Sequence, residues 1–477
     1  MYRKLFLIIA LQFASVTWAQ APAGQDARPL QSKAGSPPER EEKISPKEAE
    51  ELFRDVDQIL QFASKDSGLP IKKEVKRRLT SRDEVVAYLE KSMAEDKDTQ
   101  RLRRSELVLK KFGLLPRDFD LQTFLVALLR EQVAGYYDPK TATVNLLDWT
   151  DIEQQRPVLA HELTHALQDQ SFGLEKWLKV GNTDLDDKKE PTPDDFANDE
   201  LSEARQAVVE GQAMVVLVDY MLAPTGQSLL GSPQIAEALK QGMLVGTADS
   251  VQFKNAPIFL KEELTFPYRY GLDFEAALLR SRGKEKAFAG VLDDPPRTSR
   301  QIMEPQTYLA GEHLEPMPLP DFKRDFKNYE RFDIGAVGEF DVAILVDQYA
   351  GTNASHDLYP HWRGGYYYAA RPKGDLSAPL ALLYVSRWAS AENATEFAAV
   401  YARSLTKRYN RASGENGKDS LPLQNLATLS GTHTWLTEEG PVVIAVAGNT
   451  VLITEGVDPL TTETLEQEVL RTPKSGK

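Results

Sequence analysis

The segment Val158-Leu-Ala-His161-Glu162-Leu-Thr-His165-Ala-Leu167 constrains this chain more than any other. Two histidines four residues apart are separated by slightly more than one helical turn, so on a helix both imidazoles project from one face and reach one zinc ion. Leu159, Ala160, Leu163, Thr164, Ala166 and Leu167 carry no charge and include no proline, as a buried helix requires. Glu162 lies one position along, placed to reach a water and not to serve as a third ligand, which is the position of a general base. With only six histidines in 477 residues, a chance HExxH arises in well under roughly one in a hundred sequences of this composition. The fold must therefore bring a second element to this helix, because a catalytic zinc site uses three protein ligands and keeps its fourth position open.

The extended pattern HExxHxxGxxH is excluded, since Gln168 and Ser171 occupy its later positions. A downstream helical stretch offers Glu203 and Glu210, seven residues apart and so on one face, two turns from each other. Glu210 is followed by Gly211 and flanked by Ala207, Ala213 and Met214, a small apolar face that suits an inward-pointing ligand and a close helix neighbour. Glu203 reads as a cleft carboxylate or as an exposed acid that suits the start of a helix. Asp169, one turn after His165, either orients a ligand imidazole through the nitrogen not bound to metal or lies at the surface.

Taken in order, the GYYDP segment, the HELTHALQDQ helix and EGQA on a later helix resemble the gluzincins, zinc peptidases whose third ligand is a glutamate, and in particular small bacterial exported members. The likeness covers about 121–221 and weakens toward 308. It implies a zincin-like catalytic domain in which His161, His165 and Glu210 hold Zn2+ and Glu162 is the base. It also implies a peptide or protein substrate added as a strand beside Tyr136 and Tyr137. The chain departs from thermolysin-like enzymes in lacking ExxxD, with Ala207 after Glu203 and Met214 after Glu210. Tyr268, Tyr270, Tyr308 and His313 are candidates for stabilising an oxyanion. Two rival readings are a zinc-stabilised binding protein without catalysis and a zinc hydrolase of non-peptide amides. No GxSxG occurs and cysteine is absent, so no serine or cysteine nucleophile motif competes.

The rest of the chain reads as an α+β protein in several parts. Arg3 and Lys4, the apolar run from Leu5 to Val16 and the small residues Thr17 and Ala19 form a secretory signal over 1–19. The expected location is therefore secreted or periplasmic. About 12 apolar residues are too few for a retained span, which needs roughly 20. Residues 20–44 read as a flexible leader rich in Pro, Gly, Ala and charge. Capping boxes at Ser45 with Glu48 and at Ser81 with Glu84 open helices in a helical N-terminal region, 45–115. The catalytic domain is expected over 116–315, with a helix beginning near Pro157, a solvated loop over 182–200 and a helix from Leu201 to Leu222. A proline-containing linker over 316–332 then leads to a C-terminal α+β domain, 333–477, whose Gly448-Asn449 marks a hairpin. The formal net charge of −14 argues against a nucleic-acid partner, which calls for a basic face.

Overall fold

The computed structural model describes residues 9–11, 43–94, 96–179, 189–232, 234–235, 237–238, 250–414, 423 and 426–470. The fold is α+β, with two sheets and a helical layer that packs against both. Of the expected signal, only Ile9–Leu11 (β1) falls among the described residues, and the expected leader lies outside them up to Lys43.

Helix α1 (Pro46–Ser67) starts where the sequence places it. Ser45 Oγ accepts from Glu48 N, Glu48 accepts in return from Ser45 N, and Leu52, Val56, Ile59, Leu60 and Ala63 form its buried stripe. The N-terminal region is not purely helical, however. Lys76–Thr80 forms β2, whose exposed charged residues masked its strand character, before α2 (Arg82–Ala94), α3 (Asp96–Phe112) and α4 (Leu121–Gln132) follow. Strands β3 (Val133–Asp138) and β4 (Thr143–Leu147) pair antiparallel as a hairpin turned just after Asp138-Pro139. The first sheet has the order β1-β3-β4-β2, antiparallel except for the parallel β4 and β2 pair.

Helix α5 (Ile152–Phe172) lies across this sheet and carries the two-histidine segment. It begins five residues before Pro157, where the sequence had suggested its start, because Asp151 caps it by accepting from Glu153 N at 2.8 Å. The proline sits one turn in, ahead of the buried stretch from Leu159 to Gln168. After the short α6 (Leu174–Leu178), helix α7 runs from Pro193 to Leu222. It starts eight residues earlier than the sequence suggested, since Thr192 and Asp195 form a capping box with Pro193 in the first turn, and its acidic beginning had read as loop. Helix α7 is long and apolar enough to cross a membrane, yet most of its apolar stretch is buried inside the molecule.

Helix α8 (Ile258–Arg282) packs along α7 more closely than side chains ordinarily allow. A Cβ on Gly211 would collide with the Gly271 carbonyl, and one on Gly271 with the Ala207 carbonyl. The two glycines thus let two backbones touch.

The second sheet is wholly antiparallel, in the order β5-β6-β7-β11-β10-β9-β8. Its strands are β5 (Tyr329–Ala336), β6 (Trp362–Pro372), β7 (Ala381–Trp388), β8 (Ala412–Gly414), β9 (Gly431–Thr437), β10 (Gly440–Ala447) and β11 (Thr450–Glu455). The last two form the hairpin turned by Gly448-Asn449. Helices α9 (Glu339–Ala350), α10 (Ala391–Arg408) and α11 (Pro459–Val469) cover it.

The stretch expected to be a linker is instead packed. Phe322 and Phe326 are buried and lie against Tyr368 at 4.5 Å between ring centroids. Their aromatic anchors outweigh the prolines and mixed charge that suggested a spacer. One core of buried side chains extends from Leu52 in α1 to Ile453 in β11, across the expected boundary. Lys111 at the end of α3 pairs with Glu439 and Glu455, at 2.9 and 3.6 Å.

Candidate metal centre

The uninterrupted burial of α5 between Leu159 and Gln168 turns His161 and His165 toward α7, and the Gly211–Gly271 contact holds α7 and α8 together beneath them. His161 Nε2 lies 3.0 Å from Glu210 Oε2 and 3.0 Å from His165 Nε2, and His165 Nε2 lies 3.5 Å from Glu210 Oε2. All three side chains are within 1% of complete burial. Around a tetrahedral zinc ion with bonds of roughly 2.0–2.1 Å, neighbouring ligand atoms stand about 3.3 Å apart. The observed spacings bracket that value, so two imidazole nitrogens and one carboxylate oxygen form a cluster that fits a metal ion.

Two carboxylates play different parts. Gln206 Nε2 donates to Glu210 Oε1 at 2.9 Å, leaving Oε2 for the cluster. Burial alone would raise the Glu210 pKa, but the imidazoles of His165 and His161 hold it at about 2. Glu162 is not one of the three, and its Oε2 accepts from Tyr137 N of β3 at 2.6 Å. Burial lowers the His161 pKa. It opposes a charged His165 as well, but there the carboxylates of Glu210 and Glu162 outweigh it and the pKa is raised.

Tyr268 of α8 joins the site. Its ring centroid is 6.2 Å from that of His161 at an interplanar angle of 29°, and burial, with the charges of Glu210 and Glu162, keeps its hydroxyl protonated. The other oxyanion candidates lie elsewhere. Tyr270 packs on Phe266 and Phe340, Tyr308 donates to the Asp294 carbonyl, and His313 lines a separate cavity of about 300 Å3 near Trp362. Asp169 does not face a ligand imidazole. It accepts from Tyr137 Oη at 2.9 Å and from Leu174 N at 2.9 Å, which ties α5 to β3 and caps α6.

Glu203 stands two turns before Glu210 and outside the cluster. It belongs to a wall of acids with Glu200, Glu263 and Asp341, where burial and mutual repulsion raise every pKa, that of Glu200 to about 7 and that of Glu263 to about 8. The polar residues missed in the sequence are glutamines. Gln206 precedes Glu210 by four residues, and Gln168 follows His165 by three. Those are the spacings at which helical side chains meet, and they could have found both.

A family model described as a domain of unknown function (DUF8575) matches residues 328–466, which take in all seven strands of the second sheet. No curated protein matches the chain. A solved structure from Chloroflexus aurantiacus, described as a "putative hydrolase with a novel fold", aligns with 55% of this chain and 89% of its own at 18% identity and a TM-score of 0.33.

Proposed function

We propose that this chain is an exported zinc metallopeptidase of the gluzincin type, with His161, His165 and Glu210 as ligands and Glu162 as general base. The observation that carries the reading is the arrangement of four buried side chains. Three donors converge, and a fourth buried side chain, the Glu162 carboxylate adjacent in sequence to His161, is held by a backbone amide of β3. A site serving stability alone has no need of that base. When bound, zinc would polarise a scissile carbonyl and lower the pKa of water toward about 7.

The remaining roles fall to the chain itself. Glu162 accepts a proton from the attacking water and passes it to the leaving amine. Tyr137 N keeps its carboxylate oriented, and Tyr268 offers a protonated hydroxyl on the His161 side, where charge develops on the carbonyl oxygen. Strand β3 lines the site between β1 and β4; removal of residues 1–19 on export would take β1 away and leave that edge of β3 for an extended peptide. Export is supported by the basic start, apolar run and small residues over 1–19.

The deciding experiment is Glu162→Gln. It keeps the shape of the side chain but removes the base, so peptide cleavage should fall about a hundredfold to ten-thousandfold with the metal retained. Metal content by emission spectroscopy and cleavage of a diverse peptide mixture, with and without chelator, read the two effects separately. A wild-type protein that holds zinc and cleaves no peptide would sink the catalytic reading, and loss of metal in the variant would make Glu162 structural.

A further inference from the structure

His165 and His161 offer the same atom to the cluster, but their outer nitrogens are treated differently. His165 Nδ1 lies 2.9 Å from Gln168 Oε1. Gln168 Nε2 donates to the Val209 carbonyl at 3.1 Å and to Gln212 Oε1 at 2.8 Å. Gln212 Nε2 in turn donates to the carbonyls of Ala287 and Phe288, at 2.9 and 3.0 Å. Both glutamines are fully buried. Among the described residues, His161 Nδ1 is buried with no hydrogen-bond partner.

The direction of this chain of bonds is fixed from its far end. Backbone carbonyls only accept. The π-helical turn Lys286–Gly290 presents two of them to one amide, so Gln212 must face them with its NH2 group and turn its oxygen to Gln168. Flipping it would set an oxygen against two oxygens. The Val209 carbonyl and that Gln212 oxygen fix Gln168 in the same way, with its own oxygen toward His165. An oxygen facing Nδ1 requires Nδ1 to carry the proton. In water a neutral imidazole shares its proton between two nitrogens, whereas here the other tautomer would leave a buried acceptor without its donor.

We infer that Gln168 and Gln212 are positioning residues that hold His165 as its Nδ1–H tautomer, so that the Nε2 lone pair is directed at the metal position before any ion arrives. The inference rests on the metal centre alone and not on peptide hydrolysis. His165 is then the preset ligand. His161, whose Nδ1 has no such partner, must adjust its proton on loading.

The test uses metal-free full-length protein labelled with 15N at histidine, and long-range proton–nitrogen correlation spectra, which distinguish the two tautomers. His165 signals are assigned by their loss in His165→Gln. At a pH high enough for His165 to be neutral, wild type should show it only in the Nδ1–H pattern. Gln168→Leu, and Gln212→Leu although it touches neither histidine, should lose that pattern and bind zinc about 10–100-fold more weakly. The wild-type pattern needs no variant and decides the matter should the leucine variants fail to fold. An Nε2–H pattern in wild type, or an unchanged pattern and zinc affinity in Gln168→Leu, would each overturn the inference. Because the spectra need neither metal nor substrate, they are independent of the outcome at Glu162.

Discussion

Glu203 and Glu210 share one face of α7, and their different surroundings decide their chemistry. Glu210 meets two imidazoles and a glutamine amide, which stabilise its charge; Glu203 meets other carboxylates, which oppose it. Converting Glu210 to Gln should therefore weaken zinc binding by more than the roughly 10–100-fold typical of losing a supporting residue, while Glu203→Gln leaves metal occupancy unchanged. Titration of metal-free protein with zinc against a competing chelator measures both, and a reversal of the two results would move the third ligand to Glu203.

Among the elements, the acid wall between α7, α8 and α9 sets a pH dependence. Its carboxyls have folded pKa values raised above their ordinary ones, first by burial and then by one another, with Glu263 at about 8 and Glu200 at about 7. Such groups bind protons in the folded state that the unfolded chain has released. The contribution of these groups to stability is thus highest below the ordinary carboxyl range of about 4 and declines as pH rises toward the folded values. Melting temperature should fall between pH 5 and 8.5. Glu263→Gln should flatten that fall, gaining about 2–4 °C at the upper end; parallel melting curves for variant and wild type across this range would remove the wall as the cause.

The same scale shows what the sequence could reveal. The metal cluster was legible because four- and seven-residue spacings map directly onto helix faces, and so were the capped helix starts and the Gly448-Asn449 hairpin. Strand β2 was hidden, since Lys76, Arg77 and Arg78 lack an apolar alternation. The start of α7 was hidden because acids in a first turn look like a loop, and the role of Gln212 because its partners lie about 75 residues away. Contacts that distant leave no local pattern to read.

Across the whole molecule, the regions on either side of Arg331 are joined by buried charge. Glu455 is fully buried and accepts from Arg408, Tyr401 and Tyr409, with Lys111 of α3 3.6 Å away. Burial would raise its pKa, but Arg408 and Lys111 hold it below the ordinary carboxylate value. Glu455→Gln would leave buried Arg408 without its anion, with Lys111 keeping Glu439, and should cost about 3–5 kcal/mol, measurable by urea unfolding. A loss under about 1 kcal/mol would show that solvent or Glu439 replaces it.

This junction also sets a clock. Lys111 leaves the ribosome early, and its buried counter-ion follows only roughly 340 residues later, about 17–70 s at ordinary synthesis rates. Through that interval the core that spans α1 to β11 has no closing strand, and α5 and α7, with the His161, His165 and Glu210 cluster, belong to an unfinished chain. Nascent chains halted before about residue 430 should accordingly remain as sensitive to protease as unfolded protein, whereas resistance at that length would mean that the half carrying this cluster closes by itself. A chain whose core waits for β11 would also stay open, and able to pass through a narrow pore, until that strand has been made.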